Sequence, residues 1–222
     1  MTNEWETRLA LAAKLGLRPR VVFDCGAYHG LWTARAARIW PGAQFVCFEP
    51  NPENWPTIAA NLAGAEPKPN LVKAAVGRER MKATLHFQHD ASADPSASLH
   101  THVEGNAGAV EVDVVTLDDE AMRLGIWPDY LKLDLQGHEL PALQGAERCL
   151  EHAEAVQTEV GLLDAYQGRT SPRELLDTLY RLGFVLYDMF DVCHRPHDGA
   201  CHGCDWLFVR RDSGLRKYQG YR

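Results

Sequence analysis

The sequence predicts an α/β fold, in which a mostly parallel sheet of seven strands carries helices on both faces. Short apolar runs typical of buried strands alternate along most of the chain with longer segments that have the spacing of amphipathic helices. A turn that bears glycines, residues 24–30, separates the first apolar run from the helix that follows it. The last two apolar runs have no helix between them, so the last strand is expected to run antiparallel to the others.

The predicted strands are apolar runs bounded by turn residues. Those assigned to the main sheet are residues 21–23, 45–48, 71–76, 130–135, 155–160, 184–187 and 206–209. Alternating polar and apolar residues predict further strands at 83–87 and 110–117. The polar segment between these two, residues 88–108, predicts a long loop, and loops of that length are usually functional or disordered.

Helices are predicted where apolar residues recur every three or four positions. They are residues 3–16, 31–40, 53–62, 119–124, 139–150 and 172–182. Asn51 and Asp118 are expected to cap the third and fourth helices, and Pro172 to begin the last one. The chain is therefore divided into an N-terminal helix (1–19), one α/β domain (20–211) and a polar tail (212–222).

Composition narrows the range of partners. A chain of 222 residues that is 45% hydrophobic and 24% charged is typical of a soluble globular protein, and it has no apolar run of the about 20 residues that span a bilayer. A formal net charge of -7 without a block of Lys and Arg argues against nucleic acid as the main partner. The absence of signal-peptide features and six cysteines read as reduced thiols predict a cytoplasmic protein with a small-molecule partner. The oligomeric state is left open, a homo-oligomer included.

The glycine turn has the chemistry of a nucleotide-binding unit. Its pattern is D-x-G-x-x-x-G, formed by Asp24, Gly26 and Gly30, and glycines let the backbone turn sharply and approach a ligand. An acid at the mouth of the turn disfavours the phosphates of a dinucleotide and suits a ligand with an adenosine and a cationic amino-acid end. Glu49 ends the next apolar run about 20 residues further on, where a carboxylate can bind a ribose diol. The turn resembles the first motif of the class I S-adenosylmethionine methyltransferases, and the missing G-x-G-x-x-G disfavours a nicotinamide-dependent oxidoreductase.

Longer blocks make this resemblance more specific. Residues 21–30, Phe-Glu-Pro-Asn at 48–51, Thr-Leu-Asp at 116–118 and above all Leu-Lys-Leu-Asp-Leu-Gln-Gly-His-Glu at 131–139, with Leu-Gln-Gly-Ala behind it, resemble successive blocks of the FkbM-type methyltransferases. The similarity runs from about residue 20 to residue 210, and Gln136 stands where the family commonly has Glu. It implies a Rossmann-like class I methyltransferase fold and S-adenosylmethionine-dependent methylation, usually of a hydroxyl on a sugar, polyketide or other natural product.

The resemblance also implies which residues hold the cofactor. Asp24, Gly26 and Gly30 would surround its methionine end, Glu49 its ribose, and Asp134 with residues 136–138 would border the transferred methyl. The full set expected to contact the cofactor is Asp24, Gly26, Ala27, Tyr28, Gly30, Glu49, Pro50, Asn51, Asp134, Leu135 and Gln136.

An alcohol acceptor must lose a proton, which calls for a general base or for a metal ion that acidifies the hydroxyl. Asp134 and His138 are the catalytic candidates, and their structural alternatives are a loop cap and a helix-start residue. Asp134 and Glu159, together with Glu139, offer oxygen ligands for Mg²⁺. The alternative is that Glu139 only opens its helix and Glu159 only closes its strand.

The segment 193–204 is rich in cysteine and histidine. Cys193, His197, Cys201 and Cys204 supply enough ligands for a tetrahedral zinc site, although only the pair at 201 and 204 has a typical spacing. A mobile loop with free thiols is the alternative.

The resemblance to the FkbM-type methyltransferases thus implies a methyltransferase for natural product biosynthesis that acts on a hydroxyl. An N-methyltransferase on the same scaffold is an alternative, because an amine acceptor needs less help from a base. A protein that binds the cofactor without transferring methyl groups, and works through partners, is a further alternative. The intact set of Asp24, Gly26, Gly30 and Glu49 argues against it.

Overall fold

A computed structural model describes residues 3–91, 94–218 and 220 of the chain. The strands found within these residues are, in chain order, β1 (Val21–Cys25), β2 (Gln44–Phe48), β3 (Asn70–Val72), β4 (Ala75–Val76), β5 (Met81–Phe87), β6 (Gly108–Val115), β7 (Tyr130–Leu133), β8 (Ala155–Gly161), β9 (Phe184–His194) and β10 (Cys201–Arg210). The helices are α1 (Glu4–Lys14), α2 (Leu31–Ile39), α3 (Trp55–Asn61), α4 (Leu117–Leu124), α5 (Glu139–Gln144), α6 (Glu147–His152) and α7 (Pro172–Arg181). Single turns of 3-10 helix occupy Pro52–Asn54 and Gly214–Arg216.

The main sheet has seven strands in the order β3-β2-β1-β7-β8-β10-β9. Neighbouring strands from β3 to β8 are parallel, and β10 is antiparallel to both β8 and β9. The prediction of a mostly parallel sheet whose last strand is antiparallel is confirmed. The strand order reverses between β1 and β7, and in parallel sheets ligands bind outside the carboxyl ends of the strands at that point.

Both faces of this sheet are buried, because successive strand residues point to opposite faces. Phe23 belongs to a core cluster on one face, which α5, α6 and α7 cover. Val22 belongs to a cluster on the other face, which α1 and α2 cover with Leu9 and Ala36. Helices therefore lie on both faces, as the alternation of strand and helix patterns predicted.

A second, three-stranded sheet corrects one strand prediction. The apolar run at 71–76 is divided between β3 in the main sheet and β4 in a smaller sheet of order β4-β6-β5. The chain leaves the main sheet at residues 73–74, and β4 then pairs in parallel with β6. Periodicity does not show this break, since both halves of the run are apolar.

The helix predicted at 139–150 is interrupted at Gly145. A Cβ atom at this position would overlap the backbone oxygen of Gly77, so two chain segments that are distant in sequence approach here too closely for any side chain. The helical segment is divided at this point into α5 and α6. The cap predicted for α4 is also different, since the Thr116 hydroxyl accepts from Asp119 N at 3.0 Å, and Asp118 instead accepts from Arg148 N and Cys149 N at the start of α6.

The last two strands are longer than their apolar cores. They were predicted at 184–187 and 206–209, yet pairing continues outward until Cys201 lies opposite His194. Most of the cysteine- and histidine-rich segment is therefore a β-hairpin rather than an inserted loop. Its turn is closed by Arg195 and Asp198, whose charged groups lie 2.6 Å apart.

Among the described residues, no helix is long and apolar enough to cross a lipid bilayer. Parts of three predicted segments lie outside the described residues: positions 1–2 of the N-terminal segment, 92–93 of the long loop, and 219 and 221–222 of the polar tail.

Candidate active site

The glycine turn follows β1 at the carboxyl edge of the sheet. Gly26 has a φ of +82°, and a Cβ there would overlap the backbone oxygen of Asp134, so only glycine lets the turn lie against the end of β7. Tyr28 also has a positive φ, of +49°. The turn thereby lies against the end of β7, which pairs with β1 at the point where the strand order reverses.

Asp24 lies beneath this turn and is completely buried. Its carboxylate accepts a hydrogen bond from the Thr33 hydroxyl at 2.7 Å and pairs with the ammonium of Lys132 at 3.1 Å. Burial raises the pKa of Asp24, against the opposing effect of Lys132. Lys132 also reaches Gly26 O and Asp134 Oδ2, both at 3.3 Å. Asp24 therefore acts on the turn through Lys132.

Glu49 is buried at the end of β2, with 5% of its surface exposed. Its carboxylate accepts from Tyr28 N at 2.7 Å, from Asn51 N at 2.9 Å and from Asn54 Nδ2 at 3.2 Å. Burial raises the pKa of Glu49 to about 7. The Asn54 Oδ1 atom beside it is buried without a hydrogen-bond partner. Pro50 and Asn51 complete this corner, and Asn51 Nδ2 donates to Ala91 O at 2.6 Å, which ties the long loop to β2.

Two cavities meet at the turn. The smaller cavity has a volume of about 280 Å³ and lies on the side of Glu49, Asn54 and His138. The larger cavity has a volume of about 390 Å³ and lies on the side of Trp32 and Asp205. The wall between them is formed by the residues that line both, namely Gly26, Tyr28, Asp134, Gln136 and Glu159.

Gln136 organises this shared wall. Its Nε2 donates to Asp134 Oδ1 and to Glu159 Oε2, each at 2.8 Å, and its Oε1 accepts from the Tyr166 hydroxyl at 2.6 Å. Its φ is +52°, a conformation that side chains rarely adopt, and the Ser98 hydroxyl holds its carbonyl oxygen at 2.8 Å. Burial, followed by the nearby Asp134, raises the pKa of Glu159 well above its ordinary value. The two carboxylates are therefore joined by one amide group.

His138 lines the smaller cavity only. It begins α5 without a side-chain capping bond, and its Nδ1 lies 3.2 Å from His100 Nε2. Burial, followed by the neighbouring His100, lowers the pKa of His138 to about 4. The predicted alternative, a helix-start residue that bonds the backbone, does not describe this side chain.

The long loop predicted between β5 and β6 covers the smaller cavity. Asp94, 1% exposed, accepts from Gln88 N at 2.6 Å, His89 N at 3.0 Å and Ser96 N at 2.9 Å, so one carboxylate folds the loop onto itself. Asp94, Pro95, Ala97 and Leu99 line the cavity. The described part of this loop is thus a wall of the site.

The predicted metal ligands are not assembled. In the described part of the chain, no three side chains among His, Cys, Asp and Glu are arranged to hold a metal ion. Glu139 Oε1 accepts from Leu135 N and Gly137 N at 3.1 Å each, so it supports the loop before α5. Cys193, Cys201 and Cys204 are free thiols on β9 and β10, and His197 is exposed in the turn between these strands. Strand pairing between β9 and β10 extends to this segment, where Cys201 lies opposite His194.

Sequence reasoning missed Lys132, Tyr166 and Asp205 at the site. Lys132 stands inside a buried strand, and an isolated lysine in an apolar run was a signal that it pairs with buried acids. Tyr166 comes from the irregular segment after β8, and its sequence context gives no signal. Asp205 stands at the start of the last apolar run, where its register opposite Glu159 appears only in the paired strands.

The sheet order, the glycine turn and the buried acid at the end of β2 define a class I methyltransferase, whose cofactor is S-adenosylmethionine. Comparison with protein families is more specific, since residues 24–186 match the methyltransferase FkbM domain. This match covers well over half of the chain, so the chain belongs to the FkbM methyltransferase family and is an S-adenosylmethionine-dependent methyltransferase. The alternative of a protein that binds the cofactor without catalysis is not retained.

The individual proteins that this chain resembles share only a small part of its sequence. The chain is 26% identical over 172 residues to the 2-O-methyltransferase NoeI of Sinorhizobium fredii (strain NBRC 101917 / NGR234), which covers 72% of this chain and 70% of that protein. The crystal structure of Methyltransferase FkbM from Methylobacillus flagellatus KT gives a TM-score of 0.54 at 19% identity, over 85% of this chain and 43% of that one, so this chain spans less than half of that longer protein. The magnesium protoporphyrin IX methyltransferase of Synechocystis PCC 6803, solved with bound S-adenosylmethionine, gives 0.52 at 14% identity, over 93% and 76% of the two chains. At these identities the solved structures support the fold alone.

Proposed function

We propose that this methyltransferase transfers a methyl group to a hydroxyl of a small, sugar-like acceptor. The observation that carries the proposal is the wall of Asp134, Gln136 and Glu159, which places two carboxylates between two cavities. One cavity suits a nucleoside, and the other can take an acceptor. The name of the relative from Sinorhizobium fredii, a 2-O-methyltransferase, supports a hydroxyl acceptor.

The smaller cavity fits the adenosine part of the cofactor. Glu49 and the unpartnered Asn54 Oδ1 offer hydrogen-bond acceptors to hydroxyl or amine groups, and Val76, Leu85 and Leu99 offer apolar walls for a ring. Gly26 lets the backbone approach the amino-acid end. When bound, S-adenosylmethionine supplies a methyl group that is already activated on a sulfonium.

The chain's own task is then to position the acceptor hydroxyl and receive its proton. We assign the proton to Asp134, which lines both cavities and is held by Lys132 and Gln136. Burial, followed by the nearby Asp134, raises the pKa of the neighbouring Glu159 well above its ordinary value, and we assign Glu159 no proton transfer. His138 lies on the far side of the shared wall, and a pKa of about 4 makes it a weak base, so we assign it no proton transfer.

The donor set does not fit a Mg²⁺ ion shared by Asp134 and Glu159. The amide nitrogen of Gln136 stands between them, and its N–H groups donate to both carboxylates. A cation at that position would face hydrogen-bond donors rather than oxygen ligands. We therefore derive no step through a metal.

The Asp134→Asn variant tests this assignment. It should bind S-adenosylhomocysteine as the unchanged protein does, because Asn keeps the shape of the wall, while turnover falls by about 100-fold or more with the loss of the base. Asp177→Asn, an exposed change on α7, is the matched control and should leave turnover unchanged.

Hydroxylated sugars and polyketides are the acceptors to screen, with mass spectrometry and NMR to locate the added methyl. A methyl found on nitrogen would select the N-methyltransferase alternative. Turnover that survives in the Asp134→Asn variant would show that Asp134 is not the base.

A further inference from the structure

Two acids face each other across the wall of the larger cavity. Glu159 on β8 lies directly opposite Asp205 on β10 in the antiparallel ladder, and both line the cavity. Side chains of directly opposed residues leave the sheet on the same face, with Cβ atoms about 4.5–5.5 Å apart. Like charges in this arrangement are destabilising unless a proton or a cation compensates them.

Within the described residues, the hydrogen-bond partners of this pair are neutral amides, and Lys132 acts on Asp205 only through its charge. Glu159 accepts from the amide of Gln136 at 2.8 Å, and Asp205 accepts from the amide of Gln157 at 2.5 Å. Gln157 is in turn fixed by the Tyr130 hydroxyl, which donates to its Oε1 at 2.8 Å. The two carboxylates are therefore held in place by amides that do not neutralise them.

The lysine and the arginine of the cavity wall make their hydrogen bonds and ion pairs elsewhere. Lys132 pairs with Asp24 at 3.1 Å and with Asp134 at 3.3 Å. The guanidinium of Arg169 donates to the backbone oxygens of Gly161 and Leu163. Burial, followed by neighbouring carboxylates, raises the pKa of Asp205 to about 6, which agrees with a cavity that has more acidic groups than cations to balance them.

The same cavity has an aromatic wall. Trp5 of α1 and Trp32 of α2 both line it and are stacked, with ring centroids 5.5 Å apart and planes inclined by 26°. Ring faces attract ammonium groups, and carboxylates bind them through charge-assisted hydrogen bonds. Acids and indole rings around one cavity are a combination that recognises an organic cation.

We infer that the acceptor carries a protonated amine close to its hydroxyl, as an amino sugar does, and that Glu159 and Asp205 bind the ammonium. The inference rests on the proposed function, because it takes the larger cavity as the acceptor site. A substitution at Asp205 can test acceptor binding separately from cofactor binding. Asp205 lines the larger cavity and does not line the smaller one, where Glu49 lies.

Calorimetry on the full chain saturated with S-adenosylhomocysteine tests the inference. The probes are D-glucosamine and D-glucose, which differ by an ammonium in place of one hydroxyl. Glucosamine should bind about tenfold or more tightly than glucose, the effect of one charge-assisted contact. Asp205→Asn should remove this preference and leave the affinity for S-adenosylhomocysteine unchanged, because Asn still accepts from Gln157. Asp177→Asn should behave as the unchanged protein does.

Three results would overturn this inference and leave the proposed function standing: equal affinity for the two sugars, no binding of either sugar, or weaker S-adenosylhomocysteine binding in the Asp205→Asn variant. The third result would mean that Asp205 contacts the cofactor. If the unchanged protein does not bind S-adenosylhomocysteine, the proposed function fails first and the inference falls with it.

Discussion

Cofactor affinity is expected to depend on pH through Glu49. Its carboxylate already accepts three hydrogen bonds and offers about four lone-pair positions, so one position is left for a ribose hydroxyl. Burial raises its pKa to about 7, so the group is mostly ionised above neutral pH and mostly protonated below it. A protonated carboxyl cannot accept from the ribose and keep its bonds to Tyr28 N, Asn51 N and Asn54 Nδ2 as well.

The size of the effect follows from this pKa. If only the ionised form binds, the dissociation constant for S-adenosylhomocysteine is multiplied by a factor that is close to one at about pH 8 and about ten at about pH 6. The sign is fixed because a raised carboxyl pKa means that protonation sets in as the pH falls through 7. Titration calorimetry at about pH 6, 7 and 8 would measure it.

Two variants separate Glu49 from other groups that titrate in this range. Glu49→Gln should bind weakly at every pH, with no tenfold change. Glu139→Gln is the matched control, because burial also raises the pKa of Glu139 to about 7, yet its carboxylate is bound to backbone amides outside the ribose corner. Constant affinity in the unchanged protein, or a pH dependence that disappears in Glu139→Gln and persists in Glu49→Gln, would refute the ribose assignment.

Two further predictions concern stability. Gln136→Glu replaces the amide between Asp134 and Glu159 with a third acid, so the free energy of unfolding should fall by about 1–3 kcal/mol. The melting temperature should then fall by about 2–4 °C for each kcal/mol. An equal or higher melting temperature would contradict the bridging role of Gln136. In the folded protein the pKa of Glu139 is about 7, which is above its value in the unfolded chain. Between about pH 4.5 and 7 the folded protein therefore keeps a proton on Glu139 that the unfolded chain releases. The free energy of unfolding consequently falls as the pH rises through this window. Glu139→Gln keeps the Oε1 that accepts from Leu135 N and Gly137 N and removes this loss of up to about 3 kcal/mol; denaturant unfolding at about pH 5 and 7.5 should show a smaller difference than in the unchanged protein.

The main sheet was accessible from the sequence because parallel strands are buried on both faces and read as continuous apolar runs. β1, β7 and β8 were found for this reason. The predicted bounds of helices and strands were wrong where contacts between distant parts of the chain determine them. The backbone of Gly77 lies against Gly145 at the break between α5 and α6, and the outer halves of β9 and β10 pair through backbone bonds that polar side chains do not reveal. Neither contact leaves a periodic trace in the sequence.

The site was predictable as far as strand ends and the glycine turn define it. Asp24, Glu49 and Asp134 were identified because each follows an apolar run, yet their work differs with burial. Asp24 is completely buried and pairs with Lys132, whereas Glu49 keeps an acceptor position at the edge of a cavity. Burial and ion pairing depend on how the chain packs, and the sequence does not show them. The separate roles of these acids could therefore be assigned only from the family resemblance.

Gln136 connects the sequence departure to the chemistry of the site. A glutamate there would put a third carboxylate against Asp134 and Glu159, while Lys132 is already shared between Asp24 and Asp134. The amide instead donates to both acids and accepts from Tyr166, so the wall keeps two acids side by side without an added cation. Among the described residues Glu159 has no ion pair with a cation at the same point where it faces Asp205. The substitution of a single side chain thus leaves the acidic wall of the larger cavity to be neutralised by whatever the protein binds there.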